Sequence, residues 1–127
     1  MKKLLLIAAL LVSSLAADIA WMKYSDAMQM AKKEKKIVMV MLSQEGCGAC
    51  YFMKEQVFKD AKVSSEFANG FLGVYIDIHD DLVPSGLDYI GTPTFHFLNA
   101  DGIKIDRIDG GKKAEKFIEK LQEVRAK

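Results

Sequence analysis

Cysteine is scarce in this chain: two residues in 127, Cys47 and Cys50, three positions apart. A small exported domain stapled by disulfides carries four or more cysteines at wider spacings. A bridge across three positions closes a loop too small to remove much entropy from the unfolded chain, so the pair points to chemistry instead of stabilisation. Histidine is as scarce, with only His79 and His96, far apart in sequence and without zinc-finger spacing. Charge of one sign is lacking too. The 18 Lys+Arg and 17 Asp+Glu almost cancel, which gives no electrostatic footprint for nucleic acid. No apolar run reaches the roughly 20 residues a membrane span needs, and no internal repeat or low-complexity linker divides the chain.

The first residues read as a leader. Lys2 and Lys3 give a positive start, Leu4 to Val12 is uninterruptedly apolar, and the small residues Ser14 and Ala16 suit cleavage after Ala16. No cysteine near that point indicates lipid modification. The expected organisation is a signal peptide over 1–16 and one domain over 17–127, in a periplasmic or secreted setting. A domain of that length buries a core without cross-links.

Within the domain, SDAMQMAKKEKK predicts a helix from Ser25 to Lys36 with Ser25 as N-cap, and Lys32, Lys33, Lys35 and Lys36 read as its solvated, dipole-favoured end. Ile37 to Leu42 is a short apolar run suited to a central strand covered on both faces. From Cys47, the positions Cys50, Met53, Lys54, Val57 and Phe58 recur at helical spacing. Asp60 caps a further helix through Phe67 that stops at Asn69-Gly70, and Phe71 to Ile78 is a strand. His79 to Ile90 is irregular with room for one helical turn. Thr94–Asn99 and Ile103–Ile108 flank Ala100-Asp101-Gly102 as a hairpin, and Ala114, Phe117, Ile118, Leu121 and Val124 form the stripe of an amphipathic helix. This order predicts an α/β chain folded as a three-layer α/β/α sandwich with a central mixed β-sheet.

Cys47-Gly48-Ala49-Cys50 falls where a strand has ended and a helix begins. Unpaired N–H groups and the helix dipole at such a start favour a thiolate on Cys47, which becomes the attacking sulfur. Cys50, one turn on and covered by helix and sheet, becomes the resolving sulfur that attacks a mixed disulfide at Cys47.

Trp21 and Tyr24, the Ala27 and Ala31 helix, the apolar strand to Leu42, Cys47-Gly48-Ala49-Cys50, Asp60, Gly91-Thr92-Pro93-Thr94 and Asn99-Ala100-Asp101-Gly102 stand together in this order. On these residues the chain resembles the thioredoxin superfamily over nearly the whole domain, and more closely its exported thiol:disulfide interchange branch. The resemblance implies a thioredoxin-like fold and a redox-active disulfide between Cys47 and Cys50. It also implies a cis Thr92–Pro93 bond against the cysteines and a substrate groove involving Gly46, Thr92 and Pro93, with no cofactor and no metal. Its partners would be exported protein thiols and disulfides; to remain a reductant in an oxidising compartment the protein would need a supply of electrons, for which a membrane thiol reductase is the candidate donor. The chain also departs from the family. Gly46 stands where thioredoxins usually have Trp, Met41 where many bury an acid that deprotonates the resolving cysteine, and Gly73 near the place of an accompanying lysine. Glu45 is a weak substitute for that acid.

Other residues have simpler readings. His96 is expected in or beside the core and His79 in solvent beside Asp80 and Asp81. Asp77, Asp80 and Asp81 lack the spaced ligands of a calcium loop. Met22, Met28, Met30, Met39, Met41 and Met53 read mostly as core filler, not as a copper site, and of Tyr51 and Phe52 at least one should be core. Two other functions compete with exchange catalysis: a redox-inert peptide-binding or chaperone-like module, which would fail to cycle with dithiothreitol, and a metal-handling thiol protein.

Overall fold

The computed structural model describes residues 18–127; the leader reading and its cleavage point lie outside the described residues. Among the described residues, no helix is long and apolar enough to cross a membrane. The elements in chain order are β1 (Trp21–Met22), α1 (Tyr24–Glu34), β2 (Ile37–Ser43), α2 (Gly48–Phe52) with a π-helical turn (Met53–Val57), and α3 (Ala61–Ala68), then β3 (Phe71–Asp77), β4 (Thr94–Leu98), β5 (Lys104–Asp109) and α4 (Ala114–Arg125).

The five strands form one sheet in the order β1-β3-β2-β4-β5. β1 and β2 run parallel to β3, while β4 pairs antiparallel with β2 and with β5. Alternation along β2 divides the core. Met39 and Met41 face a cluster containing Cys50, Met53, Phe95 and Phe117, whereas Val38, Val40 and Leu42 face Ala27 and Ala31 of α1. The continuous apolar run of β2 is explained by this burial on both faces.

Several elements differ from the sequence expectation in detail. β1 was not anticipated, because two residues carry too little pattern to read. With Trp21 and Met22 already paired to β3, the chain turns at once and α1 starts at Tyr24; its N-cap is Lys23, without a side-chain cap, and Ser25 lies in the first turn. Lys32 and Lys33 occupy the last turn, Lys35 is the left-handed cap at φ 55°, and Lys36 pairs with Glu34 at 3.2 Å. Asp60 does cap α3, accepting the N–H groups of Lys62 and Val63 at 2.9 and 3.1 Å. The helix after Cys47 is not α-helical throughout. Phe58 N–H donates to the Met53 carbonyl, five residues back, and this widened turn puts Met53, Val57 and Phe58 all into the core. The segment from His79 to Ile90 contains turns but no helix. Of the methionines, Met39, Met41 and Met53 are fully buried, whereas Met30 is exposed.

Candidate active site

β2 ends at Ser43 in the middle of the sheet, and the chain must reverse before α2 can pack back onto it. Gly46 makes this possible: its φ is +78°, and the Cys47 N–H closes the turn on the Gln44 carbonyl at 3.4 Å. A Cβ on Gly46 would meet nothing within 4 Å, nor would one on Gly48, so the chain beside Cys47 is open to solvent.

Cys47 is the N-cap residue of α2, with extended backbone, and its Sγ accepts the Cys50 backbone N–H at 3.1 Å. One otherwise orphaned donor of the helix start is thereby aimed at this sulfur. Cys47 and Cys50 are joined by a disulfide, their Cα atoms 5.2 Å apart. Cys47 is half-buried, whereas Cys50 is 3% exposed. An incoming molecule therefore meets Cys47 first. The Thr92 carbonyl oxygen lies 3.5 Å from Cys47 Sγ, where a thiol could donate to it after reduction. The Thr92–Pro93 bond is cis, and Pro93 is buried, its carbonyl accepting the Gly110 N–H at 2.8 Å. Gly46, Cys47, Cys50, Thr92 and Pro93 thus lie around one sulfur pair at the end of the sheet.

Other residues singled out in the sequence stand away from this pair. His96 is buried on the α1 face of the sheet, opposite Cys50, with Nε2 2.7 Å from the Asp88 carbonyl oxygen. A carbonyl only accepts, so Nε2 carries the hydrogen. Burial pushes the His96 pKa below its ordinary value, partly offset by that carbonyl. His79 is exposed, its Nε2 2.9 Å from Gln44 Oε1. Asp77 and Asp81 spend carboxylate oxygens on the backbone of their own turn. Among the described residues, no group of three or more His, Cys, Asp or Glu is arranged to hold a metal ion. Tyr51 is exposed beside the cysteines, and Phe52 packs partly against the core.

Sequence reasoning missed one feature of the site. A cleft of about 190 Å³ opens beside the sulfurs, lined by Ser43, Cys47, Cys50, Lys54 and Tyr75 among others. Within it Tyr75 OH donates to Ser43 Oγ at 2.9 Å, and Lys54 Nζ sits 4.3 Å from the centroid of the Tyr75 ring. Ser43 and Tyr75 come from different strands, and only the β2–β3 register brings them together.

Residues 24–125 match the family model of a thioredoxin-like domain. The chain belongs to the thioredoxin-like family. A curated relative, the thiol:disulfide interchange protein DsbD of Tatumella citrea, is 30% identical over 105 residues, covering 77% of this chain but 18% of its own length. The chain therefore spans less than a fifth of that relative. A thioredoxin from Thermus thermophilus superposes with a TM-score of 0.70 at 25% identity, over 86% of this chain and 88% of that one. A putative disulphide-isomerase from Bacteroides thetaiotaomicron gives 0.69 at 25% identity, over 86% and 95%. The mixed sheet with helices on both faces is the thioredoxin fold, and in this thioredoxin-like chain the cysteine pair occupies the start of α2.

Proposed function

We propose that this protein is a periplasmic or secreted thiol:disulfide oxidoreductase that exchanges electrons with exported proteins through Cys47 and Cys50. The observation that carries the reading is the asymmetry of one disulfide: its outer sulfur is approachable and receives a backbone N–H, while its inner sulfur is buried. The name and likeness of the DsbD relative support the same reading.

In the reducing direction, the Cys47 thiolate attacks one sulfur of a client disulfide. The other client sulfur leaves with the bonding pair and takes up a proton. Cys50 then loses its proton and attacks Cys47 Sγ; the client departs as a second thiolate, and the chain is left with the Cys47–Cys50 disulfide. Two electrons have passed to the client, and an external dithiol must replace them. A membrane thiol reductase is the donor we assign to that role. An extended client segment can lie along Gly46 and the Thr92 backbone, adding main-chain pairing to the edge beside the sulfurs, where Pro93 offers no competing N–H.

The surroundings favour a reductant. Gly48 and Ala49 place no cation between the cysteines and Gly46 places none before them, so within the motif it is the helix start that stabilises the Cys47 thiolate. The expected potential is about −200 to −270 mV. Equilibrating the purified protein with graded glutathione buffers and reading the redox state of both cysteines tests this. A reversible two-electron transition in that range supports a reductant. A value near about −120 mV would make the protein a disulfide donor, and failure to cycle at all would favour a redox-inert peptide-binding module. Residues 1–16 are assigned to export, with cleavage after Ala16. The mass of the exported chain checks this: it should begin at Ala17, and an intact leader would contradict it.

A further inference from the structure

Resolution requires the buried Cys50 thiol to lose a proton, and most of what surrounds it cannot take one. On its side of the sheet stand Met39, Met41, Met53, Phe58 and Phe95. The buried polar residues among those described are Ser43, Ser64, Thr94 and His96. Ser64 is turned into α3, its hydroxyl donating to Ala61 at 3.1 Å, and Thr94 and His96 lie in the β4 alternation that faces away from Phe95 and Cys50. Ser43 alone of the four follows Met39 and Met41 onto the Cys50 face. It is joined there by the Tyr75 hydroxyl at 2.9 Å and by Lys54, four residues after Cys50, over the Tyr75 ring.

We propose that Ser43, Tyr75 and Lys54 form the proton exit of Cys50. Their shared cleft of about 190 Å³ has room for several waters, each occupying about 30 Å³ in the liquid. A water there accepts the Cys50 proton and hands it to solvent through the other waters of the open cleft, held in place by the Ser43 and Tyr75 hydroxyls. The hydroxyls keep their own hydrogens and orient the first water toward the sulfur. The Lys54 ammonium lowers the cost of the sulfur's negative charge. The three are positioning residues: they act on Cys50 through water and field, not by contact with client. Other charged or titratable groups around the cleft are Glu45, Tyr51 and Glu55, with Cys47 itself. Glu55 is held by Lys59 at 2.8 Å, which lowers its pKa and engages its charge. His79 stands outside, behind Gln44.

The inference rests on exchange through the two cysteines, and one experiment separates the two claims. The reduced protein is mixed with an aromatic disulfide whose thiolate is coloured. A first release reports attack by Cys47, and a second reports resolution by Cys50. Tyr75→Phe keeps the ring beneath Lys54, Ser43→Ala removes the other hydroxyl, and Lys54→Met keeps the stem. With Tyr75→Phe or Ser43→Ala, the second release should slow about tenfold at neutral pH, less than the roughly 10²–10⁴-fold contribution of a direct acid–base group, and added imidazole should restore it. With Lys54→Met, the Cys50 midpoint, read from its Cβ chemical shift, should rise by about one pH unit. First-release rates should stay at the wild-type value in Tyr75→Phe and Ser43→Ala. A second release with unchanged rate and pH profile in all three variants overturns the proton exit and leaves the exchange reading standing. Absence of the first release in the wild type overturns that reading itself.

Discussion

His96 is held where a positive charge is poorly accommodated. Its imidazole is 1% exposed, with the Arg107 guanidinium and Lys104 ammonium nearby and only the Asp88 carbonyl and carboxylate to offset them. With its pKa lowered on folding, the unfolded chain binds the extra proton more readily. Stability from this residue is therefore complete above its ordinary pKa of 6.5 and falls as pH drops from there toward the folded value. Glu66 and Asp106, also lowered, lose their contributions only at more acidic pH, in the carboxylate range. Urea unfolding across the mildly acidic range should show this slope in the wild type and a flatter one in His96→Gln; an equal slope in both would contradict the assignment. That His96 belongs to the core was legible in its strand, and so was the placing of Cys47 and Cys50 together at a helix start, because residue type and spacing speak directly to it. The companions of Cys50 were not. Ser43 read as the end of a strand and Tyr75 as one more strand aromatic, and only their pairing gives either a role.

Among the elements, β1 shows why sequence patterning ran out where it did. Trp21 and Met22 are recognisable only through what they cover, and Gly73 is where the covering is closest. A Cβ on Gly73 would lie 2.8 Å from Ile19 Cγ2 and 3.1 Å from the Trp21 ring. The missing lysine near this position thus has a steric reason: the space a side chain would need is filled by Ile19 and by Trp21 of β1. Gly73→Ala should destabilise the protein by about 1–3 kcal/mol through overpacking, measured by denaturant unfolding, and trimming Ile19 to Ala should recover part of the loss. A neutral Gly73→Ala would mean that these side chains yield freely. The ends of α3 were readable because Asp60 and Gly70 act through their own backbone neighbours. The π turn after α2 was not, since Met53, Val57 and Phe58 suit either helical form, and the choice is made by the core they enter.

At the scale of the whole molecule, the mixed sheet was legible from local signals alone. An apolar run covered on both faces, a polar hairpin turn built on Asn99 and Gly102, and the Phe117, Leu121 and Val124 stripe together leave few ways to stack the layers. Long-range register is different, because nothing local states that Met41 stands beside Tyr75 or that Thr92 meets Cys47. Fold and register together produce one approachable and one buried sulfur, and the proposed exchange depends on that difference. The most direct measurement is to express Cys50→Ser and Cys47→Ser from the full chain in cells and resolve disulfide-linked complexes on non-reducing gels. Cys50→Ser should accumulate mixed disulfides with client proteins that dithiothreitol dissolves, and Cys47→Ser should accumulate none. Adducts on Cys47→Ser alone would reverse the two roles, and adducts on neither variant would contradict exchange through this pair.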